Sequence, residues 1–291
     1  MVANTSSCRE DTLMPKVSAN NLTFNYEQQG SGEPLILIPF LSADNACYAF
    51  QVAEYSKHFT CISLDLRGTG ESDKPDTPYT TETLADDVAA FMRALDIPKA
   101  HISGLSLGAA VGIWLAAKHP ELVQSLSLHS GWHKTDAFVK AFIESLQIVA
   151  KALNSVPETT IRAIFPWCLT PELYASKPEY VESLAAFVRS RPAQSVPSFL
   201  LQSNAVLTHD ADAQLSGIAA PTLITFGRHD MVTSLRFAEP MTQKIRNSEL
   251  VVFESSSHAP IYEQVEEFNS KALDFLRRHA RPAAASTLGA A

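Results

Sequence analysis

His101-Ile-Ser-Gly104-Leu-Ser106-Leu-Gly108-Ala-Ala-Val-Gly-Ile-Trp114 is the stretch on which the fold of this chain turns. A short apolar strand runs into Gly-x-Ser-x-Gly, and a helical run rich in Ala and Leu follows at once. That order takes the chain sharply from strand to helix with one serine at the apex. Glycines two residues to either side leave room for close approach and for a strained backbone at Ser106.

Outward from this turn, apolar strands alternate with helical segments. Pro34–Pro39, Thr60–Asp65, Ser125–His129, Thr222–Phe226 and Glu249–Phe253 read as buried strands. Leu84, Val88, Phe91, Met92 and Leu95 have helical spacing, and Phe268–Arg278 closes the chain with an amphipathic helix. Near-continuous apolar strands separated by helices imply an α/β fold, a mostly parallel central sheet with helices on both faces. One segment breaks the alternation. Residues 133–212 show no strand; they read as several helices punctuated by Pro157, Pro166, Pro171, Pro178, Pro192 and Pro197 and are rich in aromatic residues. The expected organisation is a core of residues 1–132 and 213–280, a helical cap of 133–212 over the carboxyl ends of the strands, and a flexible tail at 281–291.

At 291 residues and 46% hydrophobic, the chain can bury one large core with a modest insertion. Its 23 Lys and Arg against 31 Asp and Glu leave a formal net charge of −8, which argues against nucleic acid or an anionic membrane as partner. Cys8, Cys47, Cys61 and Cys168 form no CxxC pair and no metal-ligand spacing, so free thiols in a reducing compartment and no metal are expected. Met1–Lys16 carries Arg9, Glu10 and Asp11 where a secretion signal needs apolar residues. No apolar run approaches the length of a membrane span, and a cytoplasmic location is the expectation.

A serine hydroxyl is a poor nucleophile until a base takes its proton, and the base needs an acid to orient it. In a chain of this strand order the acid and the base follow the serine, each at the end of a late strand. Thr222-Leu-Ile-Thr-Phe-Gly-Arg-His-Asp230 supplies a buried strand, a glycine turn and Asp230. Glu249-Leu-Val-Val-Phe-Glu-Ser-Ser-Ser-His258 supplies a strand, a serine-rich loop and His258. Ser106, His258 and Asp230 are therefore the candidate catalytic set. Asp136 is the alternative acid, His129 and His133 are weighed as pocket neighbours, and His229 reads as a loop residue. Charge developing on a reacting carbonyl needs two backbone N–H donors. Leu107 supplies one at the helix start, where the dipole also favours negative charge. The second is expected from the loop after Pro34–Ile38.

With this turn, this order of candidates and this insertion, residues 17–280 resemble the α/β-hydrolase superfamily. Asp65-Leu-Arg-Gly68-Thr-Gly70-Glu-Ser72-Asp is similar to the family's D-x-R-G-x-G-x-S turn, a mainly structural element in which Arg67 is expected to pair locally. Within the superfamily the chain looks most like small cofactor-free esterases and lactonases, including enol-lactone hydrolases, the aminoacrylate hydrolase of pyrimidine breakdown and bacterial non-haem haloperoxidases. The resemblance implies an α/β-hydrolase fold with a cap, no cofactor and no metal. It also implies a small-molecule ester or lactone substrate cleaved through an acyl-serine intermediate. Such proteins usually carry His-Gly-x after the third strand, with the amide of x completing the oxyanion hole. Here the same place reads Pro39-Phe40-Leu41. By position Leu41 should be the second donor, yet Phe40 cannot take a glycine-only backbone without strain. Phe40 would put a ring at the pocket mouth, and Trp132, Phe138, Phe142 and Trp167 are expected to line an apolar pocket for short or medium acyl or aryl groups. A lactonase, C–C hydrolase or cofactor-free perhydrolase could use the same residues. Ser106 disfavours haloalkane dehalogenases and epoxide hydrolases, which need an aspartate there. A non-catalytic receptor of the same fold is the alternative from another class.

Overall fold

The structure, a computed structural model, describes residues 15–281. Residues 1–14, read above for a secretion signal, and 282–291, read as tail, lie outside the described residues.

Strands β1 (Lys16–Ala19), β2 (Leu22–Gln29), β3 (Glu33–Ile38), β4 (Phe59–Leu64), β5 (Ala100–Leu105), β6 (Val123–His129), β7 (Thr222–Gly227) and β8 (Ser248–Phe253) form one sheet in the order β1-β2-β4-β3-β5-β6-β7-β8. From β3 to β8 every pairing is parallel; β1 pairs antiparallel with β2, and β2 with β4. The β1–β2 hairpin is absent from the strand reading above, because its residues are polar and half exposed. Its turn was nevertheless legible: Asn20 and Asn21 sit at φ 49° and 59°, the left-handed pair that a two-residue hairpin requires and asparagine tolerates.

Alternation along the strands splits the core between two faces. Ile36, Ile38, Ile62, Leu64, Ile102 and Leu126 pack against helices α2 (Thr81–Ala94) and α3 (Leu107–Lys118). Leu35, Leu37, Cys61 and Leu223 face Tyr48, Tyr55 and the last helix, α12 (Val265–Arg278). The Asp65 turn is a structural brace. Its carboxylate accepts from Asn45 N (2.7 Å), Asn25 Nδ2 (2.8 Å) and Glu71 N (2.9 Å). Arg67 forks onto Asp87 of α2 at 2.5 and 2.6 Å.

Between β6 and β7 the chain is helical: α4 (Ala137–Leu153), α5 (Val156–Thr159), a π-helical turn at Thr160–Ile164, α6 (Phe165–Cys168), α7 (Pro171–Ser176), α8 (Pro178–Ser190) and α9 (Val196–Leu207). Most of the prolines mark helix starts: Pro157, Pro166, Pro171, Pro178 and Pro197 occupy first or second helical positions, where a missing N–H costs nothing. Ser155, Thr170 and Ser195 cap three of those helices by accepting the backbone N–H of the residue three positions on. Lys134 and Asp210 pair across the base of this insertion.

Candidate active site

Registers within the sheet bring the carboxyl ends of β3, β5, β6, β7 and β8 to one edge; Ile38 pairs with Gly104 and Leu105 with His129. Ser106 stands there, between β5 and α3, at φ 54° and ψ −115°. Its N–H donates to His129 O (2.9 Å). The glycines do what the sequence asked of them. A Cβ on Gly104 would lie 2.2 Å from Gly108 O, and one on Gly108 would lie 2.1 Å from Ile38 O, so only glycine lets the helix start this close to β3 and β5.

Asp230 follows β7 and His258 follows β8. His258 Nδ1 lies 2.9 Å from Asp230 Oδ2, and both side chains are buried. Asp230 Oδ1 accepts from Val232 N (2.8 Å) and Thr233 N (3.1 Å), and Thr233 Oγ1 lies 2.9 Å from Oδ2. Burial pushes this carboxyl up, but His258 and the Thr233 hydrogen bonds outweigh it and hold Asp230 below the usual carboxylate range. An ionised Asp230 favours the His258 tautomer that carries its proton on Nδ1. Ser106 and His258 open onto the same cavity, of about 400 Å³. No hydrogen bond joins Ser106 Oγ to His258 among the described residues. Leu107 and Leu41 line that cavity too, and neither N–H has a protein acceptor among the described residues.

Asp136 is not brought to this place. It caps α4 through Val139 N (2.8 Å) and pairs with Arg236 at 2.8 Å. His129 is buried under the turn, between Ser103 Oγ (3.1 Å) and Thr225 Oγ1 (2.8 Å), and burial alone lowers it to about 3. His133 faces Asp212 and Phe237.

Of the expected pocket residues, Phe40, Trp132 and Phe142 line the cavity. Phe138 and Trp167 do not. Phe138, in the first turn of α4, is 48% exposed and lies under the Arg236 guanidinium at 5.3 Å. Trp167 is 40% exposed; its ring packs on Phe142, 5.7 Å away between centroids, and its carbonyl accepts from Ser257 Oγ at 3.4 Å. The loop after β3 is also corrected: the left-handed residue is Ser42, at φ 64°, and Phe40 escapes the glycine-only conformation.

Three contributors were not singled out from the sequence. Tyr48 Oη donates to Ile38 O and accepts from Leu105 N, both at 2.9 Å, and so ties the end of β3 to the end of β5. Thr233 braces Asp230; Asp followed by a short loop residue three positions on is its only local signal. Glu263 accepts from Ser256 Oγ (2.8 Å) and Ser257 N (2.6 Å) in the histidine loop and from Thr170 N (2.6 Å) and Oγ1 (2.8 Å) in the insertion between β6 and β7. Among the described residues no group of three or more His, Cys, Asp or Glu is placed to hold a metal ion, and no helix is long and apolar enough to cross a membrane.

Residues 33–265 match the family model described as alpha/beta hydrolase fold. The chain belongs to the α/β-hydrolase family. The AB hydrolase superfamily protein YisY of Bacillus subtilis is 30% identical over 259 residues, 88% of this chain and 96% of that protein. The 3-oxoadipate enol-lactonase 2 of Acinetobacter baylyi is 29% identical over 263 residues, 89% of this chain and 94% of the relative. Among solved structures, the enol-lactonase from Burkholderia xenovorans LB400 superposes with a TM-score of 0.80 at 25% identity, covering 90% of this chain and all of that one. This α/β-hydrolase chain is accordingly a hydrolase.

Proposed function

We propose that this α/β-hydrolase cleaves carboxylic esters of small to medium apolar acyl groups through an acyl-Ser106 intermediate. One observation carries the reading: Ser106 and a His258 oriented by a buried Asp230 face one largely apolar cavity. Ser106 Oγ attacks the carbonyl carbon while His258 Nε2 takes its proton; the alkoxide forms against the N–H groups of Leu107 and Leu41. His258 then protonates the departing alcohol, and a water, deprotonated by the same nitrogen, releases the acid. Phe40, Trp132 and Phe142 hold the acyl chain by burial.

Lactones are the second reading. The relatives named as enol-lactonases favour it, and the same residues would open a cyclic ester. The test is a panel of p-nitrophenyl esters from acetate to octanoate beside simple lactones, with fluorophosphonate labelling of the protein. Stoichiometric labelling at Ser106 and turnover of either class support a serine hydrolase; labelling and turnover should both vanish in Ser106→Ala. An unlabelled, inactive protein would instead behave as a receptor of the same fold.

A further inference from the structure

The loop after β3, from Pro39 to Asp44, carries the second oxyanion donor of the function proposed above, on which this inference rests. It is a tight turn closed by Ala43 N–H on Phe40 O at 3.2 Å. Its third residue, Ser42, has φ 64° while Leu41 keeps a negative φ, the pattern of a turn that ordinarily puts glycine at that position. Such turns have an alternative in which the central peptide, here Leu41–Ser42, is rotated by about half a turn and the third residue is right-handed. A serine left-handed at this place persists only where its surroundings over-determine it.

Those surroundings come from the cap. Ser42 N–H donates to Gln202 Oε1 of α9 at 3.0 Å, across 160 residues of sequence. Ser42 Oγ lies 3.0 Å from Thr160 Oγ1 in the π-helical turn, a distortion common at functional sites. Arg191, just past α8, holds Asp44 at 2.7 Å. Gln202 is fully buried, and its Oε1 also accepts from Gln194 Nε2 (3.2 Å), which donates in turn to Gly68 O (3.0 Å) of the core. The acceptor that selects the orientation of the Leu41–Ser42 peptide is thus fixed from two sides.

We infer that the cap is part of the oxyanion machinery: Gln202, assisted by Thr160, is a positioning residue that anchors the Leu41–Ser42 peptide, holds the whole Phe40–Ala43 turn against the cap, and so keeps the Leu41 N–H of the preceding peptide in place. The cap does for Pro39-Phe40-Leu41-Ser42 what glycine would do by itself.

Gln202 Nε2 has no partner, so only the acceptor oxygen matters, which makes a clean test possible. Gln202→Met keeps the volume and removes the acceptor. Gln202→Glu keeps an acceptor oxygen whether ionised or protonated. On p-nitrophenyl butyrate, Gln202→Met should lower kcat about 10- to 100-fold with KM nearly unchanged, somewhat less than deleting an oxyanion donor outright. Its affinity for a trifluoromethyl ketone, which forms a tetrahedral adduct on Ser106, should fall by the same factor. Gln202→Glu should recover kcat and ketone affinity. If Gln202→Met is too unstable to assay, Thr160→Val, which removes only the Ser42 Oγ contact, should lower kcat by about three- to tenfold at constant KM. A Met variant, or failing it a Val variant, that keeps kcat and ketone affinity, or that raises KM alone, overturns the inference. Wild-type protein that neither turns over esters or lactones nor accepts the fluorophosphonate overturns the functional reading and this inference with it. Active wild type beside an unaffected variant overturns the inference alone.

Discussion

Among the serines that stand left-handed at the ends of strands, Ser106 after β5 at φ 54° and Ser42 after the adjacent β3 at φ 64° are held by opposite means. The Ser106 turn is built from its own neighbours. Gly104 and Gly108 permit the approach, α3 begins on the next residue, and the strand alongside accepts the N–H. The Ser42 turn has no glycine and borrows Gln202, Thr160 and Arg191 from the cap. A turn encoded locally is indifferent to what lies above it. One braced from a distance depends on the helices between β6 and β7 staying in place.

The largest effect expected is at the locally built turn. Ser106→Ala should cost at least about 10⁴-fold in turnover, while the melting temperature moves by no more than about 2 °C. The glycines and α3, and no serine contact, hold the turn. A large fall in melting temperature would break the comparison by showing that the hydroxyl also holds the backbone.

Asp230→Asn should lower kcat by about 10³- to 10⁴-fold, since an amide favours the wrong His258 tautomer. Asp136→Asn should leave kcat within about twofold and cost a few tenths to 1 kcal/mol of stability, the worth of a helix cap and an exposed ion pair. Steady-state kinetics of the pair decide which acid serves the site.

Gly108→Ala attacks both turns at once, because the new methyl meets the carbonyl of Ile38 at the foot of the Ser42 loop. Denaturant unfolding should register a loss of about 3 kcal/mol, with activity falling beyond what the lost stability explains.

Acid should find the support of the Ser106 turn as well. Burial lowers His129 to about 3 and His209, at the end of the cap, to about 4, from an ordinary 6.5. Both are neutral in the fold and take up a proton on unfolding below that ordinary value. The stability they permit is complete above pH 6.5 and declines as the pH falls, by about 1.4 kcal/mol per unit for each group, until each titrates in the fold. Unfolding titrations between pH 4 and 7 should show this slope, and His209→Gln should reduce it by about 1.4 kcal/mol per pH unit.

The smallest effect sharpens the role of the cap. Phe142→Ala should move the preferred acyl chain longer, each further buried methylene being worth about fourfold in kcat/KM, or 0.8 kcal/mol. Phe138→Ala should leave the profile unshifted, because that ring stacks on Arg236 outside the cavity. Equal profiles for the two variants would remove the cap from acyl selection.

Much of this was legible in the chain because its signals are local. Apolar runs give parallel strands, Gly-x-Ser-x-Gly admits one kind of turn, and strand-end placement of Asp230 and His258 puts them on one edge of the sheet. The β1–β2 hairpin was readable in principle from Asn20-Asn21 but not from hydrophobicity. Phe138 and Phe142 differ by one helical turn and look alike in sequence. Only the position of α4 over the sheet makes one a cavity wall and leaves the other against Arg236.

The sequence by itself determined the family, the succession along the chain of the strands that carry the site, and the shape of the Ser106 turn, since each is written in short local patterns. Only the tertiary structure decided how a loop reading Pro-Phe-Leu-Ser is held in a glycine-like bend, which aromatic residues reach the cavity, and what ties the histidine loop to Thr170 through Glu263. Those outcomes rest on hydrogen bonds and packing between residues as much as 160 positions apart. No local pattern records which distant side chain will supply the missing acceptor.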